Sequence, residues 1–164
     1  MKKKGQAVII DLFVSVSVFI ILMIILTITW DLYSVRLSNR MEYDDMILKT
    51  FLISDLLTKQ EGVPFDWELQ ENPTYLTIDQ IGLAERRGIL SDIKVEKFRT
   101  LPNDDVSKML NIGLYKHYFS IRDLNGTVYV SRNSEPSGRL AVNSARVVVY
   151  KGGPRVMEFA LWKE

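Results

Sequence analysis

The side-chain types that most often carry chemistry are sparse in this 164-residue chain. It contains no cysteine, which excludes disulfides and thiolate metal sites, and His117 is its only histidine. That histidine has Tyr115 and Phe119 two positions to either side, in a run that predicts a β-strand. We therefore expect His117 to lie in the core or on a face of the sheet rather than to bind a metal.

Two pairs of adjacent acids resemble a general acid and base in composition, but their predicted positions favour simpler roles. Asp44-Asp45 falls on the polar face of a predicted helix. Asp104-Asp105 falls in the first turn of another, where the helix dipole favours acids. The sequence has neither a G-x-S-x-G nucleophile motif nor a glycine-rich phosphate loop. We expect solvated or capping acids, and no enzyme activity, cofactor or metal.

The class of protein depends on an apolar run near the N-terminus, Val8–Trp30, which contains a single charge. Its last 19 residues carry none, and a helix from Gln6 to Trp30 would be about 37 Å long, enough to cross a bilayer. A cleaved secretory signal has a shorter apolar stretch followed by a small-x-small site, which LTITWDLY does not offer. The run therefore predicts a retained membrane span.

Charges on either side of this run predict its orientation. Three lysines, Lys2, Lys3 and Lys4, precede it, and Asp31 follows it. By the positive-inside rule the N-terminus is cytoplasmic, and the C-terminal domain is then outside the cell. Without residues 1–5 the chain has 18 basic and 20 acidic residues and no basic stripe with interleaved aromatics, so we expect no nucleic-acid binding.

The helical signal continues beyond Trp30 in an amphipathic form. No glycine or proline occurs until Gly62 and Pro64, so one helix is predicted from about Gln6 to Lys59. Apolar residues recur mostly at three- or four-residue multiples, and we expect them to pack on the domain that follows: Tyr33, Leu37, Met41, Leu48, Leu52 and Leu56.

The remaining residues, 61–164, predict a compact α+β domain with short helices and an antiparallel sheet. IGLAERRG is expected to be a short irregular or turn-like piece ending at Gly88. Ser91 is expected to cap one helix and Asn103 a second. The inward residues would be Ile93, Lys97 (stem), Phe98 and Leu101 in the first helix, and Val106, Met109 and Leu110 in the second.

Two hairpins are predicted to supply four antiparallel strands. LYKHYFSIRD would pair with TVYVSR across Leu124-Asn125-Gly126, because Asn-Gly favours a tight turn. ARVVVYK would pair with RVMEFALWK across Gly152-Gly153-Pro154. The long helix would then lie over one face of this sheet.

The string KKKGQ, followed by an uncharged helix with an amphipathic continuation, resembles the class III signal peptide of archaeal type IV pilin-like proteins. Two further segments, SDLLTKQEGVPFDW and IGLAERRGILSDIKVEKFRTL, are similar to a recurrent pattern in that family. In the pattern a glycine-x-proline-x-x-tryptophan turn precedes an isoleucine-glycine-leucine-alanine element. Together these segments cover most of residues 2–112, and they suggest a type IV pilin-like fold.

The resemblance implies a specific processing step and a set of partners. A prepilin peptidase would cut between Gly5 and Gln6 and leave the hydrophobic helix on the mature protein. The chain would then comprise a signal peptide (1–5), a membrane and filament-core half-helix (6–30), an amphipathic half-helix (31–60) and an extracellular domain (61–164). Its other partners would be pilin-like subunits and a membrane assembly platform with its motor ATPase. The alternative is an uncleaved signal anchor whose lysines only set orientation.

Asp11 is the one charge inside the apolar run, where a carboxylate is costly and usually finds a partner. On a helix it shares a narrow small-and-polar strip with Ala7 and Ser15, where a neighbouring helix could come close. One hypothesis is that Asp11 pairs with the freed amine of Gln6 on an adjacent subunit. The resemblance supports this only in part, because bacterial type IV pilins carry a glutamate at the fifth mature position, whereas here that position is Ile10 and the acid is the sixth. The alternative is that Asp11 extends to the cytoplasmic interface.

Two other features have an ordinary and a functional interpretation. Trp67 and Trp162 are expected to pack in the core, although tryptophan also binds sugars by stacking. Asn125-Gly126-Thr127 matches an N-glycosylation acceptor at an exterior turn, and it is equally explained by the turn itself.

These patterns together predict a type IV pilin-like cell-surface subunit, assembled through its N-terminal helix into a filament or pseudopilus for adhesion or a related surface role. A minor or accessory subunit is favoured because the domain after the helix is larger than a shaft requires. The alternative is a membrane-anchored extracellular binding module that does not polymerise.

Overall fold

The computed structural model describes residues 2–137 and 140–163, with side chains from Asp11 onward. Its first element is one continuous helix, α1, Lys2–Lys59. The predicted helix is confirmed, including its end before Gly62, because no residue in this span breaks the hydrogen-bond ladder. The chain divides into two compact units, an N-terminal unit up to Tyr43 and a C-terminal unit from Asp44 onward.

The C-terminal unit is α+β, as predicted, but its main sheet is larger and mixed. Six strands lie in the order β3-β4-β7-β8-β5-β6, and only β4 and β7 are parallel neighbours. A separate two-stranded pair joins β1 to β2. The elements in chain order are β1 (Gly62–Val63), a 3₁₀ turn (Trp67–Leu69), β2 (Gln80–Ile81), β3 (Ala84–Arg86), β4 (Ile89–Leu90), α2 (Asp92–Thr100), α3 (Asn103–Met109), β5 (Lys116–Arg122), β6 (Val128–Arg132), β7 (Leu140–Tyr150) and β8 (Gly153–Lys163).

Both predicted hairpins form, although the second turn differs from the expectation. β5 and β6 are joined by a tight loop in which the Gly126 N–H donates to the Asp123 carbonyl at 2.9 Å. β7 and β8 are joined by Lys151 and Gly152, with φ of 49° and 74°, rather than by Gly152-Gly153-Pro154. Positive φ at both central residues is typical of a type I′ turn, whose twist matches that of the strands.

The prediction that IGLAERRG is irregular is wrong. Its residues contribute to β2, β3 and the turn into β4, and β3 and β4 extend the main sheet beyond the four predicted strands. The turn at Gly88 is confirmed, with φ of +80°. These strands have only two or three residues each, too short to show the alternation by which a strand is recognised.

The buried face of α1 in the C-terminal unit is only partly the predicted one: Leu56 packs half-buried against the core, as expected, but Leu48 and Leu52 do not. Leu48 and Leu52 are 61% and 60% exposed. The buried positions include small hydroxyl residues, at spacings of three or four: Met46, Thr50, Ile53, Ser54, Leu57 and Thr58. Each of these hydroxyls donates to the carbonyl four residues earlier, at 2.7–2.8 Å. They are therefore buried without an unsatisfied donor.

The two short helices lie where predicted, but their caps and faces need correction. Ser91 precedes α2 and makes no side-chain cap, and Ile93 is 62% exposed while Lys94, Val95 and Phe98 are buried. Asn103 does not cap α3, because it is the first residue of that helix and follows Pro102. Val106 and Leu110 are buried as expected, and Met109 packs against the core while partly buried.

One core cluster joins α1, α2, α3 and the sheet. It includes Met46 and Leu57 of α1, Phe98 of α2, and Phe119 and Phe159 of the central strands. A second, small cluster of Tyr118, Ala160 and Trp162 lies on alternate residues of β5 and β8. Since side chains alternate across a strand, this cluster lies on the opposite face of the sheet.

Candidate functional site

The membrane-compatible surface is the part of α1 within the N-terminal unit. In the region that the structure describes, one helix is long and apolar enough to cross a membrane. All of its large apolar side chains from Leu12 to Trp30 are exposed. The most hydrophobic 18 consecutive residues of the helix include no buried residue. The hydroxyls of Ser17, Thr27 and Thr29 donate to the carbonyls four residues earlier, at 2.7–2.8 Å. A helix with these polar groups satisfied internally suits lipid, where no water replaces a missing partner.

The predicted assembly strip is only partly within the described side chains. Asp11 and Ser15 are exposed and four residues apart on the helix, and so lie on one face. Ala7, the cleavage position between Gly5 and Gln6, and the signal charges Lys2, Lys3 and Lys4 fall in the stretch whose side chains lie outside the described residues. The processing prediction and the role of Asp11 stay predictions.

At the other end of α1, the two segments of the resemblance lie against each other. β1 pairs with β2 so that Gly62 stands opposite Ile81. The indole of Trp67 is fully buried, and its Nε1 donates to the Gly82 carbonyl at 3.0 Å. The glycine-x-proline-x-x-tryptophan turn and the isoleucine-glycine-leucine-alanine element therefore form one structure, which we call the helix-end lock.

Both glycines of the helix-end lock are required by space. A Cβ on Gly62 would lie 2.6 Å from Cδ1 of Trp67, and the φ of Gly62 is +96°. A Cβ on Gly82 would lie 2.2 Å from the carbonyl oxygen of Gln60. Real Cβ atoms do not come this close to another heavy atom, so the backbone could not keep its position with any other residue.

The lock also supplies partners for the end of α1. The last carbonyls of a helix have no partner within the helix. Here the N–H groups of Leu83, Gly88 and Ala84 donate at 2.9–3.1 Å to the carbonyls of Leu57, Thr58 and Gln60, respectively. Lys94, 5% exposed, donates to the Glu61 and Phe65 carbonyls, each at 2.7 Å. Within the C-terminal unit, these hydrogen bonds join the end of α1 to the helix-end lock, to the turn before β4 and to α2.

A second polar cluster surrounds Arg132 at the end of β6. Its guanidinium is 5% exposed and donates to the carbonyls of Phe98, Arg99 and Leu101 at the end of α2. The same group donates from Nη2 to Asn103 Oδ1 at 2.8 Å. A cation at a helix C-terminus satisfies carbonyls and complements the dipole. In the strand VYVSR, successive side chains point to opposite faces of the sheet, so Arg132 lies on the same face as Val130. This pattern could have identified Arg132 as buried.

His117 is buried beside Arg132, which confirms the prediction of a core histidine. Arg132 Nε donates to His117 Nε2 at 3.3 Å. Because arginine has no acceptor, the imidazole must be neutral with its proton on Nδ1. Burial, and then the charge of Arg132, lower the pKa of His117 from 6.5 to about 4.

This pKa predicts a pH dependence of stability. The folded state keeps His117 neutral down to pH of about 4, whereas the unfolded chain protonates it below about 6.5. The unfolded state therefore binds more protons in this window, and we expect the free energy of unfolding to fall by about 3 kcal/mol as pH drops through it. Unfolding of the full chain in detergent micelles, followed by near-UV circular dichroism across this pH range, measures the effect.

The matched variant for this measurement is His117→Gln, which keeps an acceptor for Arg132 without a group that titrates in the window. We expect a shallower pH dependence than in the wild type, because only carboxylates then contribute. Superimposable pH profiles for the two proteins would contradict the assignment.

The other polar residues singled out from the sequence have simple environments. Asp45 pairs with Lys49 at 3.0 Å and accepts from the Tyr115 hydroxyl at 3.2 Å, and Asp44 is exposed. Asp104 is exposed and Asp105 half-buried at the start of α3. Asn125 is exposed in the β5–β6 loop, and its glycosylation stays a prediction.

The two tryptophans of the C-terminal unit are packed, as expected. Trp67 is fully buried and Trp162 is 2% exposed. Neither ring face is open, so neither tryptophan offers a stacking platform for a sugar.

Comparison of the chain with protein-family models, curated proteins and solved structures finds no match. The fold and these sites are therefore the basis for assigning a function.

Proposed function

We propose that the chain is a type IV pilin-like cell-surface subunit. It is cut by a prepilin peptidase between Gly5 and Gln6 and assembles through its N-terminal helix into a filament or pseudopilus. The observation that carries this proposal is a single helix, α1, which bears an uncovered apolar half behind the KKKGQ string. A minor or accessory role is favoured because a six-stranded unit is larger than a shaft subunit requires.

An apolar helix with its hydroxyls satisfied internally is stable in two surroundings. Helix association in lipid is driven by packing and hydrogen bonds rather than by the hydrophobic effect. A helix such as Leu12–Trp30 therefore loses little when it moves from the bilayer into a bundle of its own copies. In the C-terminal unit, Leu48 and Leu52 of α1 are also exposed, and a second helix could pack on them. This supports assembly rather than anchoring alone.

The helix-end lock supports the proposal independently of the N-terminal signal. The two segments that resemble the pilin-like pattern lie in different parts of the sequence, yet they interlock through Gly62, Trp67 and Gly82. Such a lock fixes a folded unit to the end of a long helix. Any subunit that carries a surface domain on a filament-core helix needs this connection.

Processing is tested by the mass of the full chain expressed with and without an archaeal prepilin peptidase. We expect the peptidase to remove residues 1–5, so that the mature protein begins at Gln6. Gly5→Leu should abolish the mass change, because a bulky residue at the scissile bond clashes with the peptidase cleft. Lys4→Arg is the matched control, which keeps the charge and should be cut. An unchanged mass with an active peptidase would overturn the processing step.

The alternative of a membrane-anchored binding module shares the helix and differs in assembly. A cleft in the C-terminal unit, lined by Asn103, Asn133 and other residues, favours a binding role. Filaments sheared from cells separate the two functions: mature protein in this fraction supports a filament subunit. Mature protein found only as a monomer in membranes supports the binding module.

A further inference from the structure

A cleft of about 430 Å³ opens where α3, the start of β5 and the end of β8 come together. This volume is in the range of small-molecule sites. Its lining is dominated by amide, hydroxyl and aromatic side chains, with one acid and one lysine: Asn103, Asp104, Ser107, Tyr115, Lys116, His117, Asn133, Ser134 and Trp162. Neither the processing site nor the helix-end lock uses this cleft.

The buried Arg132 determines the orientation of the first amide, Asn103. Arginine only donates, so the atom of Asn103 at 2.8 Å from Arg132 Nη2 must be its carbonyl oxygen, Oδ1. The NH₂ group of Asn103 is then turned away from Arg132. Within residues 11–137 and 140–163 no hydrogen bond from this NH₂ group is found. Asn103 therefore supplies the cleft with a fixed donor.

His117 determines the orientation of the second amide, Asn133. Asn133 Nδ2 donates to the His117 carbonyl at 2.9 Å, and it also lies 3.0 Å from His117 Nε2, whose single lone pair accepts from Arg132 Nε. Its NH₂ group is thereby used, and its carbonyl oxygen points elsewhere. No donor to that oxygen is found in the part of the chain that the structure describes. Asn133 therefore supplies a fixed acceptor, held by the same Arg132–His117 pair.

The rest of the lining adds further hydrogen-bonding groups without a net charge. The carboxylate of Asp104 accepts, while the hydroxyls of Ser107 and Ser134 do both. The indole N–H of Trp162 is buried with no partner among the described residues. The negative charge of Asp104 is balanced by the positive charge of Lys116, so the lining favours neither an anionic nor a cationic ligand.

We propose that this cleft binds a saccharide unit through its hydroxyl groups. A sugar hydroxyl donates and accepts at once, so it needs a fixed donor and a fixed acceptor on the protein, which Asn103 and Asn133 supply. Tyr115, which packs half-buried against the core with Lys49 Nζ 5.3 Å from its ring centre, contributes part of the apolar wall of the cleft. The amides are held in place before binding, which lowers the entropic cost of recognition. This assignment is independent of processing and assembly.

The test is an NMR titration of the ¹⁵N-labelled full chain in micelles of a detergent without a sugar headgroup. Glucose, galactose, mannose, N-acetylglucosamine and N-acetylgalactosamine are added separately. For at least one of them we expect saturable shifts of the Asn103 and Asn133 side-chain amides, with a millimolar dissociation constant. The Trp162 indole should respond with them, whereas the Trp30 indole should not move.

Two neighbouring acids provide a matched pair of variants. Asp104 lines the cleft and Asp105 does not, and both stand in the first turn of α3. Asp104→Ala should weaken binding by about tenfold or more, and Asp105→Ala should leave it within about twofold. An unchanged Trp67 indole signal in each variant shows that the fold is intact.

Three results would overturn the proposal. The first is the absence of saturable shifts with all five sugars. The second is that inorganic phosphate or acetate moves the same amide signals at lower concentration than any sugar does. The third is an equal loss of binding in the Asp104→Ala and Asp105→Ala variants.

Discussion

Gly82→Ala is expected to cost more than about 4 kcal/mol and to unfold much of the C-terminal unit. The added Cβ would lie 2.2 Å from the Gln60 oxygen and 2.7 Å from the Gly62 nitrogen, both main-chain atoms that no rotamer change can move. Relieving this overlap separates β2 from the end of α1. The hydrogen bond from the Trp67 indole and the main-chain bonds that satisfy α1 are then lost together.

Urea unfolding of the full chain in detergent micelles, followed by near-UV circular dichroism, measures this loss. Gly153→Ala is the matched control, because the three atoms nearest to its Cβ would all be side-chain atoms of Arg155, at 3.3 Å or more, and none a main-chain atom. Trp67→Phe gives a graded result if Gly82→Ala does not fold: it removes the donor to Gly82 and should cost about 1 to 3 kcal/mol. Equal midpoints for the two glycine variants would refute the role of the lock.

Arg132→Ala is expected to cost about 3 to 5 kcal/mol, because it leaves buried acceptors without partners. All five N–H donors of Arg132 are used: three bonds go to α2 carbonyls, one to Asn103 and one to His117. The guanidinium also lies 5.3 Å from the ring centre of Phe98. Removal of this side chain loosens the end of α2 and both amides of the cleft.

The Arg132→Lys variant tests whether the positive charge of Arg132 or the planar shape of its guanidinium stabilises the fold. Lysine keeps the positive charge but lacks the planar fork, so we expect it to recover only part of the lost stability. The control is Arg99→Ala, whose guanidinium pairs with Glu96 at 3.1 Å where both side chains are about half exposed. Exposed pairs of this kind contribute less than about 1 kcal/mol. Urea midpoints that shift equally for the Arg132→Ala and Arg99→Ala variants would contradict the assignment.

Features that depend on neighbours in the sequence were predictable. The absence of glycine and proline between Gln6 and Gly62 predicted one helix that ends at Lys59, although α1 begins at Lys2, and turn-forming residues predicted both hairpins. Apolar length alone indicated a helix able to cross a membrane. His117 was correctly placed in the core from the strand residues on either side of it.

The face of α1 was predicted wrongly because hydrophobic periodicity shows which face is most apolar, not which face is covered. Thr50, Ser54 and Thr58 are polar by composition, yet their hydroxyls bond within the helix and their small size fits a tight contact. Leu48 and Leu52 lie instead on the exposed face of the helix. The prediction for IGLAERRG failed for a related reason: its strands have two or three residues, and they form through pairing of β2 with β1 and of β3 with β4, which in turn pairs with the distant β7.

The sequence by itself determined the long helix, its apolar half, the α+β character of the rest and the position of each hairpin, because these follow from local propensity and apolar length. Only the tertiary structure decided how Gly62, Trp67 and Gly82 interlock, and how Arg132 and His117 orient Asn103 and Asn133. The hydrogen bonds in these arrangements join residues 15 to 29 positions apart. Close packing and the need to satisfy buried polar groups select them, and both are properties of the folded chain.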